Sequence, residues 1–150
     1  MGRITEILNT AQQRGGELKL PYAGALLPHE AAELLQLAPG AVMVDVRSRP
    51  ELDLNGIIPG VIHVEWRTWP GWVANPHFIP QLRQLVDPEA LLMFICRSGV
   101  RSHQAAVACS EVGFASYNVL EGFEGDLNKA SGRRNELNGW KLRELPWTQS

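Results

Sequence analysis

Residues 91–102 constrain the fold of this chain more than any other segment, because an apolar run leads directly into a loop of cysteine, glycine and arginine. Residues 91–95 are continuously apolar, which is typical of a strand buried on both faces of a parallel sheet. Residues 102–112 have the small and apolar spacing of a helix that packs against a sheet. A strand, a tight loop and a helix in this order predict an α/β fold.

The loop between that strand and that helix is expected to form an anion-binding cup with Cys96 at its rim. Successive backbone N–H groups and the N-terminus of the helix converge on one point in such a loop. Arg97 and Arg101 add positive charge beside the cysteine. All three features favour the charged form of the thiol. The sequence therefore predicts nucleophilic sulfur chemistry on a small anionic substrate.

Size, composition and charge exclude several classes of partner. A chain of 150 residues with 45% hydrophobic and 20% charged residues fits one soluble globular domain. A formal charge of −2 gives no reason to expect nucleic acid or an anionic membrane as partner. There is no apolar run long enough for a membrane span and no signal-peptide pattern, so we expect a cytoplasmic protein. The two cysteines do not form a disulfide framework.

Helical and strand patterns alternate along the rest of the chain. Residues 4–13 predict a first helix that stops at Gly15 and Gly16 and packs outside the domain or against another subunit, which leaves a homodimer open. We expect a helical extension over residues 1–26 and one domain over residues 27–150. Within that domain, strands are expected at 41–46, 61–64, 91–95 and 117–120, and helices at 29–37, 75–85, 102–112 and after residue 121.

Two charged residues, Asp45 and Arg47, lie at the carboxyl end of the strand expected at 41–46. Ligands bind beyond the carboxyl ends of the strands in open α/β sheets. Cys96, Asp45 and Arg47 all lie at such ends. We expect Asp45 to accept hydrogen bonds from loop backbone and Arg47 to form an ion pair that pins the strand ends. The tail over residues 128–150 holds Trp140 and Trp147 and is expected to fold back over the body.

Several blocks of this sequence resemble the rhodanese-like, single-domain sulfurtransferase family. Residues 96–101, Cys-Arg-Ser-Gly-Val-Arg, resemble the family's active-site loop, and residues 44–47 resemble its first-strand signature. Residues 56–63, 118–125 and 139–147 resemble further family blocks in the same order. Ile57 and Glu144 depart from the family pattern, which has histidine and glycine there. The resemblance implies a three-layer α/β fold with a mainly parallel central sheet, to which the N-terminal helix is an addition.

The resemblance also implies a persulfide relay. Cys96 would take the outer sulfur of thiosulfate or of a low-molecular-weight persulfide and pass it to cyanide, sulfite, a thiol or a protein cysteine in a ping-pong scheme. The loop residues that would bind the substrate are Arg97, Ser98, Gly99, Val100 and Arg101. Asp45 and Arg47 would support them. No metal and no cofactor are implied.

Two other functions stay open at this stage. The chain could serve as a sulfur-carrier or regulatory module for one protein partner. A phosphatase or arsenate reductase is disfavoured, because phosphate needs a wider loop with one more residue before the arginine, whereas four residues separate Cys96 from Arg101.

The remaining cysteine, histidines and tryptophans have plainer interpretations. Cys109 lies among alanines and valine, which favours core packing over a role as a resolving thiol. His63 lies on an apolar strand and is expected in the core, whereas His103 lies near the cup. A tryptophan-rich stretch is interpreted as a packed loop, with a wall around the site mouth as the functional alternative; it contains Trp66, Trp69 and Trp72.

Overall fold

A five-stranded parallel sheet forms the centre of the computed structural model, which describes residues 2–149. All neighbouring strands in the sheet run parallel, in the order β1-β7-β6-β2-β3. The strands are β1 (Gly24–Leu26), β2 (Ala41–Asp45), β3 (Ile62–His63), β6 (Leu91–Ile95) and β7 (Ala115–Val119). A separate antiparallel hairpin joins β4 (Arg67–Thr68) to β5 (Val73–Ala74). The predicted parallel α/β fold is therefore confirmed.

Helices cover both faces of this sheet, which gives the expected three layers. The helices are α1 (Arg3–Glu17), α2 (Pro28–Leu37), α3 (Arg49–Asn55), α4 (Phe78–Leu85) and α5 (Val100–Glu111). One core contains buried residues of α1 and α2, and the other contains buried residues of α4 and α5. Side chains of β6 alternate between them: Met93 and Ile95 enter the first core, whereas Phe94 and Cys96 face the second. The alternation places Cys96 on the same face as α5.

The first helix is an integral part of the packing. Ile7 and Ala11 are buried in the core that α1 shares with α2. Gly15 lies so close to β1 that a Cβ atom there would be 2.9 Å from the Cα of Gly24. The prediction that the helix stops at Gly15 and Gly16 is wrong, since α1 continues to Glu17. Gly15 serves close helix–strand approach rather than helix termination.

The segment after β7 also differs from the prediction. A helix was expected after Glu121, but the chain forms turns there, with positive φ angles at Glu121, Gly122 and Gly125. The N–H groups of Phe123 and Glu124 donate to carbonyls of the cysteine loop, so they are not available for helical bonds.

Two helix starts were misplaced. Helix α5 begins at Val100 rather than at residue 102, because Gly99 adopts a left-handed conformation and caps it. Helix α4 begins at Phe78 rather than near Asn75, whose side-chain oxygen accepts the His77 N–H in a turn before the helix. Strand β1, helix α3 and the β4–β5 hairpin were not predicted. The folded-back tail is observed, since Trp140 is buried beside Phe123.

No helix over residues 2–149 combines the length and apolar character that a membrane crossing requires.

The close contact of Gly24 with α1 and the open space beside Gly16 predict opposite changes in the free energy of unfolding when each glycine is replaced by alanine. A Cβ atom at Gly24 would lie 2.6 Å from the carbonyl oxygen of Ala11, so Gly24→Ala should lower the free energy of unfolding by about 1–3 kcal/mol. Gly16 has open space around it, and Gly16→Ala should raise that free energy by roughly 0.5–1 kcal/mol. Urea denaturation of both variants tests this. Equal changes in the free energy of unfolding for the two variants would contradict the close approach of Gly24 to α1.

Candidate active site

Cys96 lies at the carboxyl end of β6, where the chain turns into α5. Its side chain is buried, yet it lines a cavity of about 660 Å³. The N–H of Gly99 donates to the sulfur at 3.1 Å. Because Gly99 is the N-cap of α5, the positive end of the helix dipole also points toward the sulfur. Of the several converging N–H groups expected at this position, the structure shows that of Gly99 at the sulfur.

The backbone of the cysteine loop is held by the segment that follows β7. The N–H of Phe123 donates to the carbonyl of Cys96 at 2.8 Å, and the N–H of Glu124 donates to the carbonyl of Arg97 at 3.0 Å. Gly122 permits this approach, since a Cβ atom there would lie 2.6 Å from the Cys96 carbonyl oxygen. The carbonyl groups of Cys96 and Arg97 are therefore held by the segment that follows β7.

A buried hydroxyl contacts the cysteine sulfur from α5. The Oγ of Ser102 lies 3.3 Å from Sγ of Cys96 and donates to Oδ1 of Asn118 at 2.6 Å. Asn118 in turn donates to the carbonyl of Gly99 at 3.3 Å. These contacts connect the Cys96 sulfur and Gly99, the N-cap residue of α5, to Asn118 on β7.

Arg101 is paired within the protein. Its guanidinium donates to both carboxylate oxygens of Glu51 on α3, at 2.7 and 2.8 Å, and lies over the ring of Trp72. Burial works against the charge on Glu51, but the bonds from Arg101 and Ser48 outweigh it and lower the pKa of Glu51 to about 2. Burial also opposes the charge on Arg101, and Glu51 overcomes this and raises the Arg101 pKa. The pair joins α5 to α3 in the wall of the cavity.

Asp45 and Arg47 form a buried ion pair at the end of β2. The Arg47 guanidinium donates to Asp45 at 2.7 Å and to the carbonyl of Gly56 at 2.9 Å, and it lies 4.1 Å from the centre of the Phe123 ring. The ion pair expected of Arg47 is present. Among the described residues, the donors to Asp45 are the backbone and side chain of Arg47, not the cysteine loop as the sequence suggested.

The structure brings most of the sequence candidates to one cavity. Cys96 and four loop residues line it, with Gly99 behind them as the N–H donor. The loop residues are Arg97, Ser98, Val100 and Arg101. Asp45 and Arg47 are buried and do not line this cavity, and Asp45 borders a separate, smaller one.

The charged lining residues that sequence reasoning missed are Glu51, Arg67 and Arg134. They come from segments far from the loop in sequence, and no motif marks them. The tryptophan stretch divides into two parts: Trp66 packs against Phe78 in the core, whereas Trp69 and Trp72 form a wall of the cavity.

The remaining candidates lie away from the sulfur. Cys109 is fully buried, and burial raises its pKa to about 12. His63 is half-buried on β3, and its Nε2 lies 2.7 Å from the carbonyl oxygen of Arg47. His103 contacts the hydroxyl of Tyr22 at 2.7 Å and lines a different, smaller cavity. None of these three side chains lines the cavity that Cys96 shares.

Comparison with known protein families agrees with this arrangement. The rhodanese-like domain family matches residues 27–129, a range that contains the sheet from β2 to β7 and the cysteine loop. The chain belongs to the rhodanese-like domain family.

Individual relatives cover most of the chain. The crystal structure of Rv0390 from M. tuberculosis is 40% identical, covers 86% of this chain and 99% of its own, and superimposes with a TM-score of 0.78. An uncharacterized protein of Rickettsia conorii is 33% identical over 121 residues, which are 79% of this chain and 91% of the relative. A putative sulfurtransferase of Bacillus subtilis, YtwF, is 31% identical over 80 residues, 53% of this chain and 67% of its own length.

The ion pair of Glu51 predicts a pH-dependent contribution to stability. Because the pKa of this carboxyl is about 2 in the folded protein and 4.5 when unperturbed, the pair stabilises the fold fully above about pH 4.5. That contribution is lost as the pH falls from 4.5 to about 2. Glu51→Gln should therefore lower the free energy of unfolding by about 1–3 kcal/mol at pH 7 and by much less near pH 2. Urea denaturation across this range is the measurement.

The control for this experiment is Glu89→Gln, which removes an exposed carboxylate away from the cavity. Its effect should be small at every pH. A loss for Glu51→Gln that did not change with pH would contradict the assigned ion pair.

The two cysteines should differ in reactivity in the native protein. At pH 8 the Cys109 thiol stays protonated and inaccessible, whereas Cys96 faces a cavity that a small alkylating reagent enters. We expect iodoacetamide to modify Cys96 first and Cys109 only after unfolding. Intact mass and peptide mapping measure this order. Equal rates at the two cysteines would contradict the burial of Cys109.

Proposed function

We propose that this protein is a sulfurtransferase that carries a sulfane sulfur on Cys96. The observation that carries the proposal is the position of the sulfur, which accepts the Gly99 N–H at 3.1 Å, faces the N-terminus of α5 and borders a cavity of about 660 Å³. The same donors that stabilise a thiolate there also stabilise a persulfide anion on that sulfur. Both stages of a sulfur transfer therefore find the same favourable charge environment.

The proposed reaction has two half-reactions. In the first, the Cys96 thiolate attacks the outer sulfur of a donor, a new S–S bond forms, and the bond to the rest of the donor breaks. The bonding electrons leave with sulfite when thiosulfate is the donor, or with an organic thiolate when a persulfide is the donor. In the second, an acceptor such as cyanide attacks the outer sulfur, and Cys96 departs as a thiolate. Atoms and electrons balance without any oxidant.

The position of Arg101 supports sulfur transfer over phosphoryl transfer. Phosphate chemistry would need the guanidinium after the cysteine loop to hold the equatorial oxygens of the transferred group. In this protein two N–H groups of that guanidinium are taken by Glu51, at 2.7 and 2.8 Å. A single sulfur atom on Cys96 needs only the N–H donors of the loop.

We propose a reducing, cytoplasmic setting for this reaction, because a thiol such as that of Cys96 stays reduced there.

Intact-mass measurement tests the proposal directly. The reduced protein is incubated with thiosulfate or with glutathione persulfide, freed of donor, and then treated with cyanide. We expect the mass of one sulfur atom to be gained and then lost with release of thiocyanate. Cys96→Ser is nearly isosteric and should show no gain, whereas Cys109→Ala should behave as the wild type.

Three outcomes would count against the proposal. Sulfur retained by Cys96→Ser would move the nucleophile elsewhere. Loading from a protein persulfide alone, with no turnover of small acceptors, would favour a carrier module. Turnover of nitrophenyl phosphate without any sulfur loading would favour a phosphatase.

A further inference from the structure

The cavity beside Cys96 is far larger and more positively charged than a small inorganic oxyanion requires. Its volume of about 660 Å³ lies within the range of sites that bind drug-sized organic molecules, about 300–1,000 Å³. Thiosulfate would occupy a small part of it. The additional space is large enough for the organic part of a donor or acceptor.

Arginines from three separate segments line this cavity. Arg67 comes from β4, Arg97 from the cysteine loop and Arg134 from the tail. Over residues 2–149, Glu51 is the one acidic residue in the lining, and Arg101 neutralises it. The cavity is thus strongly positive on a chain whose formal charge is −2. One small oxyanion beside Cys96 cannot use three guanidinium groups that enter from different segments.

Two of these arginines are fixed by the backbone. Nη1 of Arg67 donates to the carbonyl of Trp72 at 2.9 Å, and Nη1 of Arg134 donates to the carbonyl of Gly125 at 2.8 Å. A guanidinium has five N–H donors in a planar fork, so a side chain held through one nitrogen still presents a preorganised edge to a carboxylate. Both are half-buried, whereas Arg97 is exposed beside the nucleophile.

An apolar wall faces this charge. Trp69 and Trp72 lie on the β4–β5 hairpin and border the cavity, and Trp69 is 63% exposed. The Trp72 ring is already occupied by Arg101, 4.8 Å from its centre. The ring of Trp69 therefore offers a flat apolar surface, of the kind that binds the uncharged body of an organic ligand at low entropic cost.

We infer that Arg67, Arg97 and Arg134, together with Trp69, make this site select among persulfide donors those whose carrier part bears at least two separated anionic groups. This inference rests on the proposed function, because it names the specificity-determining residues of the same site. The Cys96 thiolate attacks the terminal sulfur of R–S–SH, the S–S bond of the donor breaks, and R–S⁻ leaves. Cys96–S–SH forms, with no change in the total number of electrons.

A pair of donors tests the inference without any mutation. Glutathione persulfide carries two carboxylates on either side of its sulfur, and its diethyl ester has the same carrier with both carboxylates masked. We expect kcat/KM for glutathione persulfide to exceed that for the diester by about tenfold or more, since each contact of a carboxylate with an arginine is worth about tenfold. Equal kcat/KM values for the two donors would overturn the inference.

Variants assign the effect to the residues named. Arg134→Gln should lower kcat/KM for glutathione persulfide about tenfold and leave the diester nearly unchanged. The matched control is Arg133→Gln, which removes the same charge from the neighbouring exposed residue that does not line the cavity. Trp69→Ala should raise KM for glutathione persulfide and for its diester by a similar factor, because both have the same organic carrier. The inference fails if Arg133→Gln and Arg134→Gln have the same effect.

The failure of the inference is distinguishable from the failure of the proposed function. If thiosulfate loads Cys96 and the two glutathione donors react equally, sulfur transfer stands and the assigned donor class is wrong. If no donor places sulfur on Cys96, the proposed function itself is wrong.

Discussion

The buried guanidinium of Arg47 joins the elements on which the candidate site depends. It pairs with Asp45 at the end of β2, donates to the carbonyl of Gly56, and lies 4.1 Å from the centre of the Phe123 ring. The backbone N–H of that same phenylalanine donates to the carbonyl of Cys96. Removing one partner of a buried ion pair leaves an uncompensated charge and costs about 3–5 kcal/mol. The end of β2, the turn after α3 and the cysteine loop are thus connected through the side chain of Arg47 and through Phe123.

The surroundings of Cys96 show how a sheet with hydrophobic strands brings a cysteine sulfur to the edge of a cavity. Cys96 directly follows β6, and its side chain lies on the same side of the sheet as Phe94, in the core that contains residues of α5. It is therefore buried like its neighbours. The turn at Gly99 then brings an N–H group and a helix N-terminus to the sulfur, and Ser102 contacts it from the first turn of the helix. The Cys96 side chain is buried, and the cavity that it lines is its opening toward a small molecule.

The cysteine loop and the parallel sheet could be predicted from the sequence because their signals are contiguous. An apolar strand, Cys96 and a helix follow one another directly, so local patterns suffice. The contribution of Glu51, Arg67 and Arg134 could not be predicted, because each reaches the cavity from a distant segment. Two glycine-containing segments were misread for a related reason. Gly15 and Gly122 permit close contact between parts of the chain, and a local pattern cannot tell this use from helix capping or a helix start.

A crystal structure of the protein after reaction with a sulfur donor tests the central claim most directly. The account predicts one additional sulfur atom bonded to Sγ of Cys96, within hydrogen-bond distance of the loop N–H groups, with the Arg101–Glu51 pair still formed. An additional sulfur on Cys109, or an unmodified Cys96 with Arg101 turned from Glu51 toward a bound oxyanion, would contradict it.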